Sequence, residues 1–331
     1  MTTGSSDVPA RALPLSARAP GKCILFGEHA VVRGAPELLL AIDLSTQILV
    51  REAPTFTLNA DPMGMEHNPY FRAAVEHCWK NSRPIGVRAV SRIPRAAGLG
   101  SSAAFVAATV AALGAASGGL SRAELARRSF AVERAAQGVG SPGDTSASVA
   151  GGYVTMNGGT GATLWSLTQE DTEWTARRAP DPGWTWVVAY TGVPRSTAEA
   201  VRAVNRRLDE PGGPELLAEF VRVATDGIHA LGAEDRTGVA SLMTQNQELL
   251  RQVGVSHPRI EALLEAAAPL ADGSKLTGAG AGGSVVILPK AGREVELLRR
   301  LARAGGLAFV VRPAPRGAEL IEPADPTSTS G

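Results

Sequence analysis

The sequence predicts an α+β protein of two domains, and three observations predict it. Strand-like and helix-like segments are intermixed without the regular alternation of a doubly wound parallel sheet. The 331 residues exceed the roughly 100–200 of one ordinary domain. The stretch Ala179-Pro-Asp-Pro-Gly183 has the Pro/Gly punctuation of a linker. The domains are therefore expected over 10–181 and 182–322.

The elements follow from local chemistry. Residues 16–26 read as extended chain broken by Pro20-Gly21, and 38–50 as a strand carrying the β-formers Ile42, Thr46, Ile48 and Val50. Asn68-Pro69 pairs an N-cap with proline at the first helical position, opening a helix to about Lys80. A short alternating strand over 87–93 leads into the turn Ala96-Ala-Gly-Leu-Gly-Ser-Ser102 and a helix over 103–116. That helix is apolar nearly all round and should be buried. Ser121, with Glu124 three residues on, caps a helix to about Gln137. Short strands are expected at 153–156, 163–167 and 184–190, and about four helices from there to Leu270. The end reads strand 274–277, strand 284–288, helix 293–304, strand 307–312. Both extreme ends are polar and read as frayed.

Composition excludes several classes. With 33 Lys+Arg against 32 Asp+Glu, no bulk charge favours a nucleic-acid or membrane-surface partner. Cys23 and Cys78 make no disulfide framework and show no zinc spacing. There is no apolar leader segment and no uncharged apolar run of about 18 residues, so a cytoplasmic protein is expected.

The chemistry-bearing residues fall in four runs. In Gly98-Leu-Gly-Ser-Ser102, glycines let successive N–H groups curl inward, and the helix behind adds partial positive charge. Such a turn suits phosphate, although an ordinary capped helix start would look similar. No stretch fits the pattern G-x-x-x-x-G-K-S/T. A dinucleotide fingerprint is formally met by Gly98, Gly100 and Ala103, which leaves an NAD(P)-dependent oxidoreductase as the reading from a different class. Its context is poor, because the preceding strand alternates and carries arginines, unlike a buried parallel strand.

A second Gly-rich run, Thr277 to Gly283, precedes a strand, and its glycines suit close approach to a ligand or another loop. The third, Ala19 to Val32, holds Lys22, Glu28 and His29. Only four lysines occur in the chain, and Lys22 and Lys275 both lie beside Gly-rich segments. Lys275 also suits a solvated surface charge, and His29 a satisfied core histidine. The fourth run joins Glu133 on a helix to Asp144 in a loop of small residues. A phosphoryl transferase needs a carboxylate for magnesium and a group near the attacking hydroxyl, which these two could divide. Glu133 as surface charge and Asp144 as a turn residue or N-cap stand beside that reading.

Three of these runs together, APGKCILFGEHAVV, PRAAGLGSSAA and KLTGAGAGGSVV, resemble the motifs of the GHMP kinase family in its order and approximate spacing, over roughly residues 17–313. The resemblance implies a two-domain fold: an N-terminal domain like ribosomal protein S5 domain 2, a ferredoxin-like C-terminal domain, and a site between them. It implies ATP as co-substrate and Mg2+ as cofactor. The backbone over Ala97, Gly98, Leu99, Gly100, Ser101, Ser102 and Ala103 would wrap the triphosphate. Ser102 and Glu133 would hold the metal. Asp144 would be the catalytic carboxylate, with Lys22 beside it, and Glu28, His29 and Thr197 would face the acceptor.

GEHAVV with AIDLST, and the stretch Thr191 to Thr197, resemble the branch of the family that phosphorylates the C5 hydroxyl of mevalonate. A phosphomevalonate, homoserine or sugar acceptor is the alternative within the family. A phosphorylated acceptor would need extra cations, for which Arg195, Arg18 and Arg33 are candidates. A homodimer is plausible by resemblance alone. The sequence departs from the pattern at Glu37, where a small residue is expected, in the Ser141 to Asp144 loop, and at Ala281, where glycine is usual.

Overall fold

The computed structural model describes residues 10–322, apart from 139, 170–171 and 195–196, and the side chains of 169, 197 and 198. Both extreme ends read as frayed therefore lie outside the described residues. In chain order the elements are β1 (Leu15–Phe26), β2 (Glu37–Glu52), β3 (Thr57–Leu58), α1 (Gly64–His67), α2 (Pro69–Cys78), β4 (Ile85–Ser91), α3 (Ser101–Ala116), α4 (Arg122–Gln137), α5 (Gly143–Ala150), β5 (Tyr153–Met156), β6 (Thr163–Gln169), β7 (Thr172–Ala179) and β8 (Trp186–Tyr190). They continue with α6 (Thr197–Asp209), α7 (Gly213–Gly232), α8 (Arg236–Gln252), α9 (Pro258–Ala267), β9 (Ala271–Thr277), β10 (Ser284–Pro289), α10 (Glu294–Arg303), β11 (Leu307–Val311) and β12 (Glu319–Ile321).

Two sheets organise these elements. The first runs β12-β1-β2-β5-β7-β6, with β4 and β3 also joined through β2; the second runs β11-β8-β10-β9 and is antiparallel throughout. β1 and β2 form a long antiparallel pair whose register shifts at Pro20/Gly21, where proline has no N–H to offer the ladder. α3 and α5 pack on β1 and β2, while from the second half of the chain α7 reaches both strands and α8 reaches β1. β1 is thus buried over nearly its whole length, which is why LSARAPGKCILF shows no alternation. Gly227 of α7 presses on Phe26, and a methyl there would meet its ring at 2.5 Å.

The capping chemistry is as the residues dictate. Asn68 Oδ1 accepts from the N–H of Phe71, and Ser121 Oγ from the N–H of Glu124. The carboxylate of Glu124 does not close a capping box; it pairs with Arg128 at 2.8 Å. α3 is buried on nearly all sides, as its composition demands.

Five elements depart from the sequence expectation. β3, α1, α5, β7 and β12 lack a strong local signal, and each forms through its partner. α5, GDTSASVA, is poor in helix formers. It folds because its small residues let it lie close on β1 and β2, and six of its eight residues are buried. Asp144 consequently stands in the first turn of a helix rather than in a loop. β12 pairs with β1, so the end of the stretch expected to belong wholly to 182–322 returns to the first sheet. That return satisfies a flank of β1 that would otherwise be an open edge.

Candidate active site

A cleft of about 1120 Å³ opens beside β1, and most of the residues singled out by the sequence line it. Its floor is Lys22, whose side chain is 2% exposed and whose Nζ lies 2.9 Å from Asp144 Oδ1; Asp144, at 35% exposed, faces the open cleft. Lys22 Nζ also donates to the carbonyl of Gly98 at 3.3 Å, and the Lys22 N–H to the carbonyl of Leu99 at 3.0 Å. The lysine therefore ties β1 to the Gly-rich turn and aims its ammonium at the carboxylate of α5.

The turn itself is held open by backbone geometry. Gly98 and Gly100 have φ of 82° and 72°, and a methyl on Gly100 would sit 2.8 Å from Lys22 Cγ. Glycine is required there on both counts. Gly98, Gly100, Ser101 and Ser102 line the cleft, whereas the side chains of Ala97, Leu99 and Ala103 are buried, so those three can offer a ligand only main-chain groups. The strand before the turn, β4, pairs antiparallel with β2, which is not the setting of a dinucleotide-binding unit.

Ser102 Oγ donates to Glu133 Oε1 at 3.4 Å, and Gln137 Nε2 to the same oxygen at 3.1 Å. Glu133 is buried, and that burial, reinforced by the charge of Asp144, pushes its carboxyl up to about 8. A hydroxyl and a carboxylate side by side on one cleft wall form an oxygen-only pair that fits a hard divalent cation completing its shell with phosphates and water. No cluster of three or more Asp, Glu, His or Cys side chains suited to a metal occurs among the described residues.

Glu28, which also lines the cleft, forms an ion pair with Lys275, both essentially inaccessible to solvent. Lys275 Nζ also donates to the carbonyl of Leu276 at 2.7 Å. Burial raises the Glu28 carboxyl and lowers the Lys275 ammonium, and each partner partly offsets the other's shift. Lys275 is thus no surface charge: β9 threads it under β1. His29 lies beside Glu28 in the left-handed region, φ 65°, and lines the cleft. Thr197 begins α6, but its side chain lies outside the described residues, as does Arg195. Arg18 and Arg33 do not line the cleft; they pair with Glu319 at 2.6 Å and Asp209 at 2.8 Å.

The ends of the second Gly-rich run, Thr277 and the following Ser284, fasten the two halves together. Thr277 Oγ1 accepts from the Ile24 N–H at 2.8 Å and donates to the Ile24 carbonyl at 3.0 Å, while Ser284 Oγ donates to the Ala97 carbonyl at 2.8 Å. Among the cleft residues that escaped the reading as site groups are Tyr70 and Glu37. Tyr70, on α2, has its phenol pushed up by burial and by Glu133. Glu37 was noted only as a departure from a pattern; it is 1% exposed, and burial followed by the charge of Asp144 holds its carboxyl well above the ordinary range.

A Gly-rich turn with the geometry to receive phosphate, a buried lysine and carboxylates beside it are what a small-molecule phosphotransferase needs. Family models for the GHMP kinase N-terminal and C-terminal domains match residues 69–152 and 228–307. The chain is 32% identical to a mevalonate kinase of Pyrococcus horikoshii, over 92% of this chain and 97% of that protein. It is 30% identical to a mevalonate kinase of Methanothermobacter thermautotrophicus, over 82% and 89%. Among solved structures, the mevalonate kinase of Methanococcus jannaschii superposes with a TM-score of 0.74 at 25% identity, covering 92% of this chain and 99% of that one. The chain belongs to the GHMP kinase family, and its co-substrate is ATP.

Proposed function

We propose that the chain transfers the γ-phosphoryl group of ATP to the C5 hydroxyl of mevalonate. The observation that carries this reading is the Lys22–Asp144 pair, set at 2.9 Å on the floor of a cleft rimmed by the Gly98–Ser102 turn. The acceptor hydroxyl lies at Asp144, which takes its proton. Lys22 stabilises the negative charge that develops on the attacking and transferred oxygens, and being buried it does so with little solvent screening. The backbone over Ala97 to Ala103 and the first turn of α3 receive the phosphates. Glu28 and His29 face the acceptor, and Thr197 is the further candidate the sequence names for it. Phosphoryl transfer asks for positioning and charge neutralisation rather than covalent help, and this inventory supplies both.

Ser102 and Glu133 are the residues to hold Mg2+. The cation, when bound, neutralises phosphate charge and offsets the burial that otherwise keeps Glu133 protonated. Mevalonate is favoured as acceptor because the relatives at about 30% identity over most of the chain are mevalonate kinases. Of the cations named for a phosphorylated acceptor, Arg18 and Arg33 pair with carboxylates and do not line the cleft, and Arg195 lies outside the described residues. No helix among the described residues is long and apolar enough to cross a membrane. A cytoplasmic location is part of this reading, and a homodimer is the assembly to test by sedimentation.

The test is ADP release with magnesium-ATP against mevalonate, phosphomevalonate, homoserine and galactose. Turnover on mevalonate alone is expected. Turnover confined to another acceptor would overturn the substrate while leaving the family in place.

A further inference from the structure

The proposed chemistry leaves one buried carboxyl group of the cleft without a task. Glu37 opens β2, lines the cleft and is 1% exposed, yet its Oε2 has no hydrogen-bond partner. The following residues, Leu38, Leu39 and Leu40, are apolar and fully buried, so packing alone would favour an apolar side chain here. Buried polar oxygens are almost always paired in native proteins, and an orphan calls for an explanation.

Its position supplies one. The carboxyl group lies against Gly143 in the first turn of α5, one residue before Asp144; a methyl on Gly143 would fall 2.2 Å from Glu37 Oε2. The charged groups facing it are Asp144 from α5, Lys22 from β1, Glu28 from the turn after β1, and Lys275 from β9. Both of these cations are already paired, Lys22 with Asp144 and Lys275 with Glu28. Among the described residues, both cations that face Glu37 are therefore committed, and a neutral hydroxyl suits this corner better than an acceptor carboxylate. Burial favours the protonated form of Glu37, which both donates and accepts, and a hydroxyl complements such a group.

We propose that Glu37 is a specificity-determining residue of the acceptor pocket, its carboxyl group hydrogen-bonding a second hydroxyl of the acceptor, distinct from the one that is phosphorylated. This rests on the mevalonate reading, in which the second hydroxyl is the one on C3. A site built to pair a hydroxyl discriminates against an analogue that lacks it, because the protein's own polar atom is then stranded.

The test is steady-state kinetics on the full chain with two acceptors, mevalonate and its 3-deoxy analogue 5-hydroxy-3-methylpentanoate. For the unaltered enzyme, KM for the analogue should exceed that for mevalonate by about tenfold, the weight of one hydrogen bond. Glu37→Ala should raise KM for mevalonate by about the same factor, leave KM for ATP unchanged, and lose the discrimination between the two acceptors. Glu37→Gln, equal in shape and still able to donate and accept, should keep most of it. Equal KM values for the two acceptors in the unaltered enzyme would overturn the proposal, and so would an equal effect of Glu37→Ala on both. Either result leaves the mevalonate assignment standing. Absence of turnover on mevalonate in the unaltered enzyme would remove both.

Discussion

Lys22 and Asp144 illustrate what single residues do in this fold. The Lys22 side chain is 2% exposed and its Nζ lies 2.9 Å from an Asp144 oxygen, a pairing that offsets the cost of taking both groups out of water. Asp144→Ala should lower kcat by at least about a thousandfold while KM for ATP stays within a few-fold, measured by coupled ADP assay. Near-normal turnover would return Asp144 to a structural role. Glu133 makes a pH prediction. Its folded-state pKa, about 8, lies above the ordinary 4.5, so the folded metal-free protein holds one more proton than the unfolded chain between those values. Stability is then full below pH 4.5 and lost as pH rises, at up to about 1.4 kcal/mol per pH unit. Glu133→Gln should remove that slope in chelator-treated protein, read by urea melts from pH 5 to 9. A slope unchanged in the variant would contradict the assignment.

Elements carry the next level of argument. α2 and α4 begin on side-chain caps that were legible as Asn68-Pro69 and Ser121, because capping depends on neighbours three residues apart. Ser121→Ala should destabilise the protein by about 1 kcal/mol in chemical denaturation without changing kcat, since this cap does not line the cleft. α5 shows the opposite case. Its sequence has neither caps nor an apolar stripe, and it becomes a helix through burial on β1 and β2. β7 and β12 likewise exist as partners of β5 and β6 and of β1. Propensity is a weak guide wherever tertiary packing makes the larger contribution.

At the scale of the whole molecule, the Glu28–Lys275 pair and the Thr277–Ile24 hydrogen bonds join the first sheet to the second directly beneath the cleft. Lys275→Met should cost roughly 3–5 kcal/mol, because it strands a buried carboxylate. Adding Glu28→Leu should recover most of that loss, read as a double-mutant cycle in thermal melts; simple additivity would show that the two do not interact. A ligand seated across both halves should stabilise them together. Magnesium-ATP at about 100 times its Kd should add roughly 2.7 kcal/mol to unfolding, a shift that NAD should not produce.

The amino-acid sequence by itself determined the strands, helices and caps whose signals lie within a few residues, the two Gly-rich runs, and which residues are candidates for phosphate, metal and acceptor. Those features are local: backbone conformation and capping depend on neighbours within about four residues. Only the tertiary structure decided which of the chemical groups meet. Lys22 finds Asp144, Ser102 finds Glu133, and Glu28 finds Lys275 across 247 residues of chain. Such pairs form because α5 and β9 are pressed onto β1 and α4 onto α3, a matter of close packing that no short window contains. For the same reason Lys275 was open to reading as surface charge, and Glu37 looked like a lapse from a pattern until the fold set its carboxyl beside the first turn of α5.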